Sequence, residues 1–176
     1  MMKKKVVLAF SGGLDTSFAV KYLSEDLGYE VHTALSNTGG FSPDECEKIA
    51  ERAIALGAAS HVTLNIEQEY YEKCIRYMVY GDILRNGTYP ISVSSERTFQ
   101  AISIIEYAKK IGADAVAHGS TGAGNDQIRF DLTFAILAPE IEVITPTRDM
   151  TLTREYEINY LKEHGFEADF KKMEYS

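Results

Sequence analysis

Residues 11–17, Ser-Gly-Gly-Leu-Asp-Thr-Ser, combine adjacent glycines, hydroxyls and a carboxylate between an apolar run and a helical pattern. Gly12 and Gly13 allow the backbone to adopt unusual dihedral angles and to approach a ligand closely. The free N–H groups and the dipole of the following helix attract an anion. Three hydroxyl side chains add hydrogen-bond donors: Ser11, Thr16 and Ser17. The segment predicts a phosphate-binding loop, although a plain strand–helix turn would also use glycine.

Asp15 is the carboxylate in this loop. It would repel a phosphate group unless a cation lay between them, so it is the candidate catalytic residue and a candidate contact to Mg²⁺, directly or through water. The ordinary P-loop pattern requires a lysine directly after its last glycine, and Leu14 stands there instead. The loop therefore predicts a phosphate site of a different class.

A second polar segment covers residues 118–131, His-Gly-Ser-Thr-Gly-Ala-Gly-Asn-Asp-Gln-Ile-Arg-Phe-Asp. Asp126 beside Asn125 and Thr121 could hold an ammonium group while backbone N–H groups hold a carboxylate, which suits an α-amino acid. Arg129 could pair with a second carboxylate in bidentate fashion. Helix capping by Asn125 or Asp126 is the alternative, but it does not explain the Gly-Ser-Thr-Gly that precedes them.

Short apolar runs alternate with longer helical patterns along the chain. Strands are predicted at 5–10, 31–35, 61–65, 113–118 and 142–145. Helices are predicted at 16–27, 43–56, 67–84, 96–111, 126–137 and 154–164. This order predicts an α/β fold with a parallel five-stranded sheet and helices on both faces. Ligands of such sheets bind beyond the carboxyl ends of the strands, which directs attention to loops 11–17, 36–42 and 119–126.

The composition excludes several classes of partner. The formal net charge of the 176 residues is −8, so a basic face for nucleic acid is not expected. No apolar run approaches the roughly 20 residues that span a bilayer, and the first ten residues lack a secretory signal. We therefore expect a cytoplasmic protein without nucleic-acid or membrane partners.

Two motifs carry a resemblance to known proteins. Ser-Gly-Gly-Leu-Asp-Thr-Ser resembles the pyrophosphate-binding loop of the N-type ATP pyrophosphatases, which activate a substrate oxygen as an adenylate. Residues 119–130 closely resemble the G-x-T-G-x-G-N-D-Q-x-R-F block of argininosuccinate synthase, and segments 35–39 and 137–139 agree with it. The resemblance implies ATP-dependent ligation of citrulline and aspartate to argininosuccinate through a citrullyl-adenylate, with release of AMP and pyrophosphate.

The resemblance also implies site residues. Those implied for ATP are Ala9, Phe10, Ser11, Gly12, Gly13, Leu14, Asp15, Thr16, Ser17, Ser36 and Gly119. Those implied for aspartate are Thr121, Asn125 and Asp126. Those implied for citrulline are Tyr89, Ser94, Asn125, Arg129 and Ser176, with Tyr89 and Ser94 placed before the fourth helix. The implied cofactors are ATP, as a substrate, and Mg²⁺.

Members of the family are more than twice as long as this chain and form homotetramers. We therefore expect residues 1–166 to be a nucleotide-binding domain and residues 167–176 to begin a synthetase domain. On that interpretation the chain itself binds ATP without completing the ligation.

Two other functions remain open from the residues. Another adenylating ligase or a tRNA thiolase would share the first loop, but it predicts a basic surface or zinc-binding cysteines. A non-catalytic nucleotide-binding module, like the universal stress proteins, would also keep the first loop. Such a module has no need for Asn125, Asp126 or Arg129.

Overall fold

The computed structural model describes residues 3–168, 170 and 173. Its strands in chain order are β1 (Lys5–Ala9), β2 (Glu30–Asn37), β3 (Ser60–Asn65), β4 (Leu84–Arg85), β5 (Tyr89–Pro90), β6 (Ala115–His118) and β7 (Glu142–Ile144). Five of them form one sheet in the order β3-β2-β1-β6-β7, and all neighbours in it are parallel. The predicted parallel five-stranded sheet is confirmed.

Helices follow the strands as expected for crossover connections. In chain order they are α1 (Leu14–Lys21), α2 (Pro43–Ala55), α3 (Glu67–Tyr70), α4 (Arg76–Tyr80), α5 (Ser92–Ile111), α6 (Asp126–Leu137), α7 (Pro146–Asp149) and α8 (Arg154–Glu163). Wider π-type turns, Tyr22–Asp26 and Tyr71–Ile75, extend α1 and join α3 to α4. None of the helices in the described part of the chain is long and apolar enough to cross a membrane.

Both faces of the sheet are covered, and β1 shows why its sequence is apolar throughout. Val6 and Leu8 belong to the cluster that packs against α1, α2 and α8, whereas Val7 belongs to the cluster under α5 and α6. Successive side chains of a strand point to opposite faces, so every position of a strand that is buried on both faces favours an apolar side chain. All three side chains are fully buried.

Helix boundaries follow local signals where those signals are strong. Ser42 caps α2 in a capping box: its Oγ accepts from the Glu45 N–H at 3.4 Å, and Glu45 Oε2 accepts from the Ser42 N–H at 2.8 Å. Gly112 ends α5 in the left-handed conformation, with φ of 63°. The predicted start of the second helix at residue 43 and the predicted end of the fourth helix at residue 111 are confirmed.

The region between residues 67 and 96 differs from the prediction. The single helix expected at 67–84 is divided into shorter segments and ends at Tyr80, and β4 and β5 follow as a hairpin. Asn86 and Gly87 both have positive φ, as a type I′ turn requires. The next helix begins at Ser92 rather than at residue 96.

The order of the strands reverses at β1, which has β2 on one side and β6 on the other. The chain leaves the carboxyl ends of these strands into loops 10–13, 38–42 and 119–125. Such a switch point leaves a crevice because the connections on its two sides run in opposite directions. The loops selected from the sequence therefore meet at one edge of the sheet.

Candidate functional site

A cavity of about 360 Å³ opens at this switch point. Loop residues and strand ends line it together with side chains from α5 and α6. The predicted site residues among its lining are Ala9, Phe10, Ser11, Gly13, Leu14, Asp15, Thr16, Ser36, Gly119, Thr121 and Asp126. Two segments far apart in the sequence, 9–16 and 119–126, thus share one cavity.

The other predicted residues lie outside that lining. Gly12 faces α2, and Ser17 is fully buried, with an Oγ that lacks a hydrogen-bond partner among the described residues. Tyr89 is 53% exposed in β5. Ser94 lies in the first turn of α5, not before that helix as expected. The further placements are Asn125 as the exposed N-cap of α6, Arg129 within α6, and Ser176 outside the described residues.

The first loop, residues 10–13, packs against α2 and is hydrogen-bonded to it. Gly12 has φ of +80°, and a Cβ atom there would lie 3.3 Å from Ile49 Cγ1, so both conformation and space favour glycine. Arg52 Nη1 donates a hydrogen bond to the Gly12 carbonyl. The bond fixes the orientation of the peptide group that leads into Gly13, the extended N-cap of α1.

The N-terminus of α1 then faces the cavity. The Gly13 carbonyl accepts from the Ser17 N–H at 3.0 Å and from Thr16 Oγ1 at 3.2 Å, so this acceptor is already used. The first N–H groups of a helix have no partner within the helix. With Gly13, Leu14, Asp15 and Thr16 lining the cavity, this end of α1 can bind an anionic group.

Gly119 joins the two loops. A Cβ atom built on Gly119 would lie 3.0 Å from Thr16 Cγ2 and 3.2 Å from Asp15 Cβ. These distances are too short for a side chain without a shift of α1 or of the loop. The absence of a side chain therefore lets the backbone after β6 lie directly against the first turn of α1.

Asp126, at the start of α6, is bound by two arginines. Arg129 Nη1 donates to Asp126 Oδ1 at 2.5 Å, and Arg97 Nε donates to Asp126 Oδ2 at 3.4 Å. Arg129 Nη2 also lies 3.4 Å from Ser94 Oγ. The structure thus brings Ser94, which was expected before the fourth helix, together with Asp126 and Arg129 of the helix predicted at 126–137, and it adds Arg97.

His118 ends β6 and also lines the cavity, with 1% of its surface exposed. Its Nδ1 accepts from the Ser120 N–H at 3.2 Å, and its Nε2 lies 2.9 Å from Asp131 Oδ1. Burial lowers the pKa of His118, although the hydrogen bond and charge of Asp131 oppose the shift. Neutral His118 with hydrogen on Nε2 satisfies both contacts.

Asp15 has a buried acidic neighbour that sequence spacing could not reveal. Glu157 of α8 is 1% exposed and accepts from Thr147 Oγ1 at 3.0 Å. Burial and the adjacent Asp15 carboxyl raise the pKa of Glu157 to about 8. Its protonated form can share a hydrogen bond with the Asp15 carboxylate, whereas two ionised carboxylates would repel each other.

The cavity also contains side chains that the sequence analysis did not select. Apolar groups from β2, α5 and α6 join the predicted Phe10 in a surface suited to a flat ring: Ala34, Leu35, Ile104 and Phe130. Arg97 and Arg154 contribute positive charge. The two arginines lie within helical patterns, and helical periodicity shows which face of a helix is apolar. It does not show which groups of other elements lie opposite the polar face.

Comparison with known proteins agrees with this geometry. The family model described as "Arginosuccinate synthase N-terminal HUP domain" matches residues 5–167. The chain belongs to this family.

Curated relatives of the family cover the chain along its length. It is 43% identical over 176 residues to an argininosuccinate synthase of Pyrobaculum aerophilum. The match covers 100% of this chain and 44% of that relative. It is 41% identical over 172 residues to that of Saccharolobus solfataricus, covering 98% of this chain and 44% of the relative. It is 42% identical over 182 residues to the argininosuccinate synthase of Xylella fastidiosa, and the match covers 100% of this chain and 44% of the relative. The chain spans less than half the length of these relatives.

Proposed function

We propose that this protein supplies the nucleotide-binding part of an ATP-dependent ligase that joins citrulline and aspartate to form argininosuccinate. The observation that carries the proposal is the single cavity shared by the loop before α1 and the loop before α6 in a chain of this family. The first loop suits a phosphate group. The second presents the carboxylate and guanidinium groups that amino-acid substrates require.

ATP would lie in the cavity at the switch point. We propose residues 9–17 as the ATP-binding segment: Gly13 and Thr16, at the N-terminus of α1, would hold the phosphates, and Ser36 and Gly119 would contact the nucleotide. The apolar lining would cover the adenine ring. Arg97 and Arg154 add positive charge toward a ligand that carries several negative charges.

Asp15 would hold Mg²⁺ at the phosphates, directly or through water. Among the residues that the structure describes, no group of three or more His, Cys, Asp or Glu side chains could hold a metal. Magnesium fits nevertheless, because it commonly uses one or two carboxylates and completes its shell with water and substrate phosphates. When bound, it would neutralise charge on the departing pyrophosphate.

The amino acids would bind beside the nucleotide. Thr121, Asn125 and Asp126 would hold aspartate, with the Asp126 carboxylate toward the ammonium group. Tyr89, Ser94, Asn125, Arg129 and Ser176 would hold citrulline. The Arg129 contact to Ser94 supports a common surface for these residues, while Ser176 remains a proposal from the sequence.

The chemistry would need little acid–base work from the protein. The citrulline ureido oxygen attacks the α-phosphorus of ATP, and the bond to pyrophosphate breaks. The aspartate amine then attacks the citrullyl-adenylate carbon, the C–O bond to AMP breaks, and the amine loses a proton to solvent. The side chains position three substrates and stabilise developing charge.

We further propose the organisation expected from the resemblance. Residues 1–166 form the nucleotide-binding domain, and residues 167–176 begin a synthetase domain. The complete protein would act in the cytoplasm as a homotetramer, without nucleic-acid or membrane partners.

Calorimetry of ATP with Mg²⁺, followed by citrulline and aspartate, tests the proposal on the purified protein. We expect ATP to bind, because the cavity offers a helix N-terminus for its phosphates and an apolar lining for its ring. We also expect each amino acid to bind more tightly once ATP is present. A folded protein, verified by circular dichroism, that fails to bind ATP would disprove the function. ATP binding without any response to the amino acids would instead favour a non-catalytic nucleotide-binding module.

A further inference from the structure

Arg148 of α7 reaches the glycine-rich loop 119–124 by two separate chains of hydrogen bonds. In the first, Arg148 Nη1 donates to Asp131 Oδ2 at 2.5 Å, and Asp131 Oδ1 lies 2.9 Å from His118 Nε2. In the second, Arg148 Nη1 donates to Gln127 Oε1 at 3.3 Å. A side chain outside the cavity lining therefore contacts Gln127 directly and reaches His118 through Asp131.

The first chain of bonds ends on the loop backbone. His118 Nδ1 accepts from the Ser120 N–H at 3.2 Å, so in a neutral imidazole the hydrogen must lie on Nε2 and point to Asp131. Asp131 thereby favours the tautomer whose Nδ1 can accept the hydrogen bond from the Ser120 N–H. Arg148 in turn orients Asp131 and compensates its charge, which would otherwise favour a protonated imidazole without an acceptor for Ser120.

The second chain of bonds also ends on the loop backbone. Gln127 Nε2 donates to the carbonyl of Gly122 at 2.8 Å and to that of Gly124 at 3.1 Å. A guanidinium group can only donate, so the Arg148 contact requires the oxygen of the Gln127 amide to face it. The NH₂ group is consequently directed to the loop.

The loop also passes close to the stem of Arg148. A Cβ atom on Gly122 would lie 3.8 Å from Arg148 Cγ, which is ordinary van der Waals contact. Ser120 and Gly124, whose backbone groups end the two chains of bonds, line the cavity, as do Gly119 and Thr121. The conformation of this segment decides the shape of the cavity on that side.

We propose that Arg148 is a positioning residue that holds loop 119–124 in its cavity-lining conformation through His118 and Gln127. This role rests on the proposed function only for the identity of the ligand, ATP. Arg148 also lies near Asp149, with Nε 3.4 Å from its Oδ1, but that contact stays within α7 and does not involve the loop.

The primary test compares Arg148→Met with Arg76→Met, a matched change at an exposed arginine of α4. Amide hydrogen exchange, followed by mass spectrometry without ligand, should become about tenfold faster in peptides covering 119–124 for Arg148→Met, the factor for one lost net hydrogen bond. Arg76→Met should leave these peptides unchanged. Equal exchange in the wild type and both variants would overturn the proposal.

The nitrogen resonances of the His118 ring give a signature that general loss of stability would not produce. The wild type should show hydrogen on Nε2 and a lone pair on Nδ1, and Arg148→Met should lose this pattern. Arg148→Lys keeps a donor for Asp131, so it should restore the tautomer. A wild-type pattern retained in a folded Arg148→Met would contradict the first chain of bonds.

Gln127→Leu provides a second route if Arg148→Met fails to fold. The side chain is only partly buried, and its loss should speed exchange at 119–124 while leaving the His118 tautomer unchanged. Unchanged exchange in this variant would overturn the role of the second chain.

Calorimetry with ATP then separates the two proposals. If the wild type binds ATP, Arg148→Met should bind it about tenfold more weakly, and equal affinity despite faster exchange would show that the loop position does not matter for the ligand. If the wild type binds no ATP, the proposed function fails, while the exchange data still decide whether Arg148 holds the loop.

Discussion

Gly119 and Thr16 are packed so closely that a single added carbon on Gly119 would lie 3.0 Å from Thr16 Cγ2. The two residues come from opposite sides of the strand-order reversal, one after β6 and one in the first turn of α1. Their contact makes one cavity from two loops. It also explains why the position after β6 is restricted to glycine although its φ is not positive.

Gly119→Ala should therefore weaken ATP binding by about tenfold or more, because overpacking of a tight contact costs roughly 1–3 kcal/mol. Gly40→Ala is the matched control, since a Cβ atom at Gly40 would meet nothing within 4 Å. Calorimetric titration of ATP into both variants measures the difference. Equal affinities in the two variants would show that the contact between the loops does not shape the nucleotide site.

Arg52→Met should loosen the first loop, because it removes the hydrogen bond to the Gly12 carbonyl. We expect a loss of about 1.5–3 kcal/mol in the free energy of unfolding, the usual contribution of a hydrogen bond with a charged donor. Weaker ATP binding should accompany it. Lys48→Met, at an exposed position of the same helix, controls for the lost charge. Urea denaturation gives the comparison, and identical unfolding curves would exclude a role for this bond.

Glu157→Gln should change the pH dependence of stability. The pKa of Glu157 is raised in the folded protein to about 8 from its ordinary value of 4.5. The folded state therefore favours the protonated carboxyl group of Glu157. Its contribution to the free energy of unfolding is complete below pH 4.5 and is lost as pH rises through about 8. The glutamine variant has no such loss, so it should become more stable relative to the wild type between pH 5 and pH 9.

Thermal unfolding of wild type, Glu157→Gln and the exposed control Glu155→Gln across this pH range isolates the effect. The difference between wild type and Glu157→Gln should grow with pH, whereas Glu155→Gln should run parallel to the wild type. A constant difference at all pH values would mean that the pKa of Glu157 is not raised in the folded protein.

Asp126→Asn should selectively weaken the binding of aspartate. The change removes the negative charge proposed to face the ammonium group and also releases Arg97 and Arg129 from their ion pairs. We expect aspartate affinity in the presence of ATP to fall by about tenfold or more, with ATP affinity nearly unchanged. Asp44→Asn, at an exposed position of α2, is the control. Equal losses for ATP and aspartate in titrations would indicate a general structural role.

The sequence predicted most of the architecture because the relevant signals are local. The apolar run at Val6–Leu8 indicates a strand buried on both faces, and the capping box at Ser42 and Glu45 indicates where α2 begins. The hairpin of β4 and β5 also has a local signal, Asn86-Gly87, which the helical pattern at 67–84 obscured. Secondary structure and loop location follow from such neighbours in the chain.

By itself, therefore, the sequence determined the parallel sheet, the order of its elements and the loops at its carboxyl edge. The tertiary structure alone decided which charged groups meet. Arg52 reaches Gly12, Glu157 lies against Asp15, and Arg97 shares Asp126 with Arg129. The physical reason is that the periodicity of a helix or strand specifies the face on which a side chain lies. The partner on the other side depends on how separate elements pack in space.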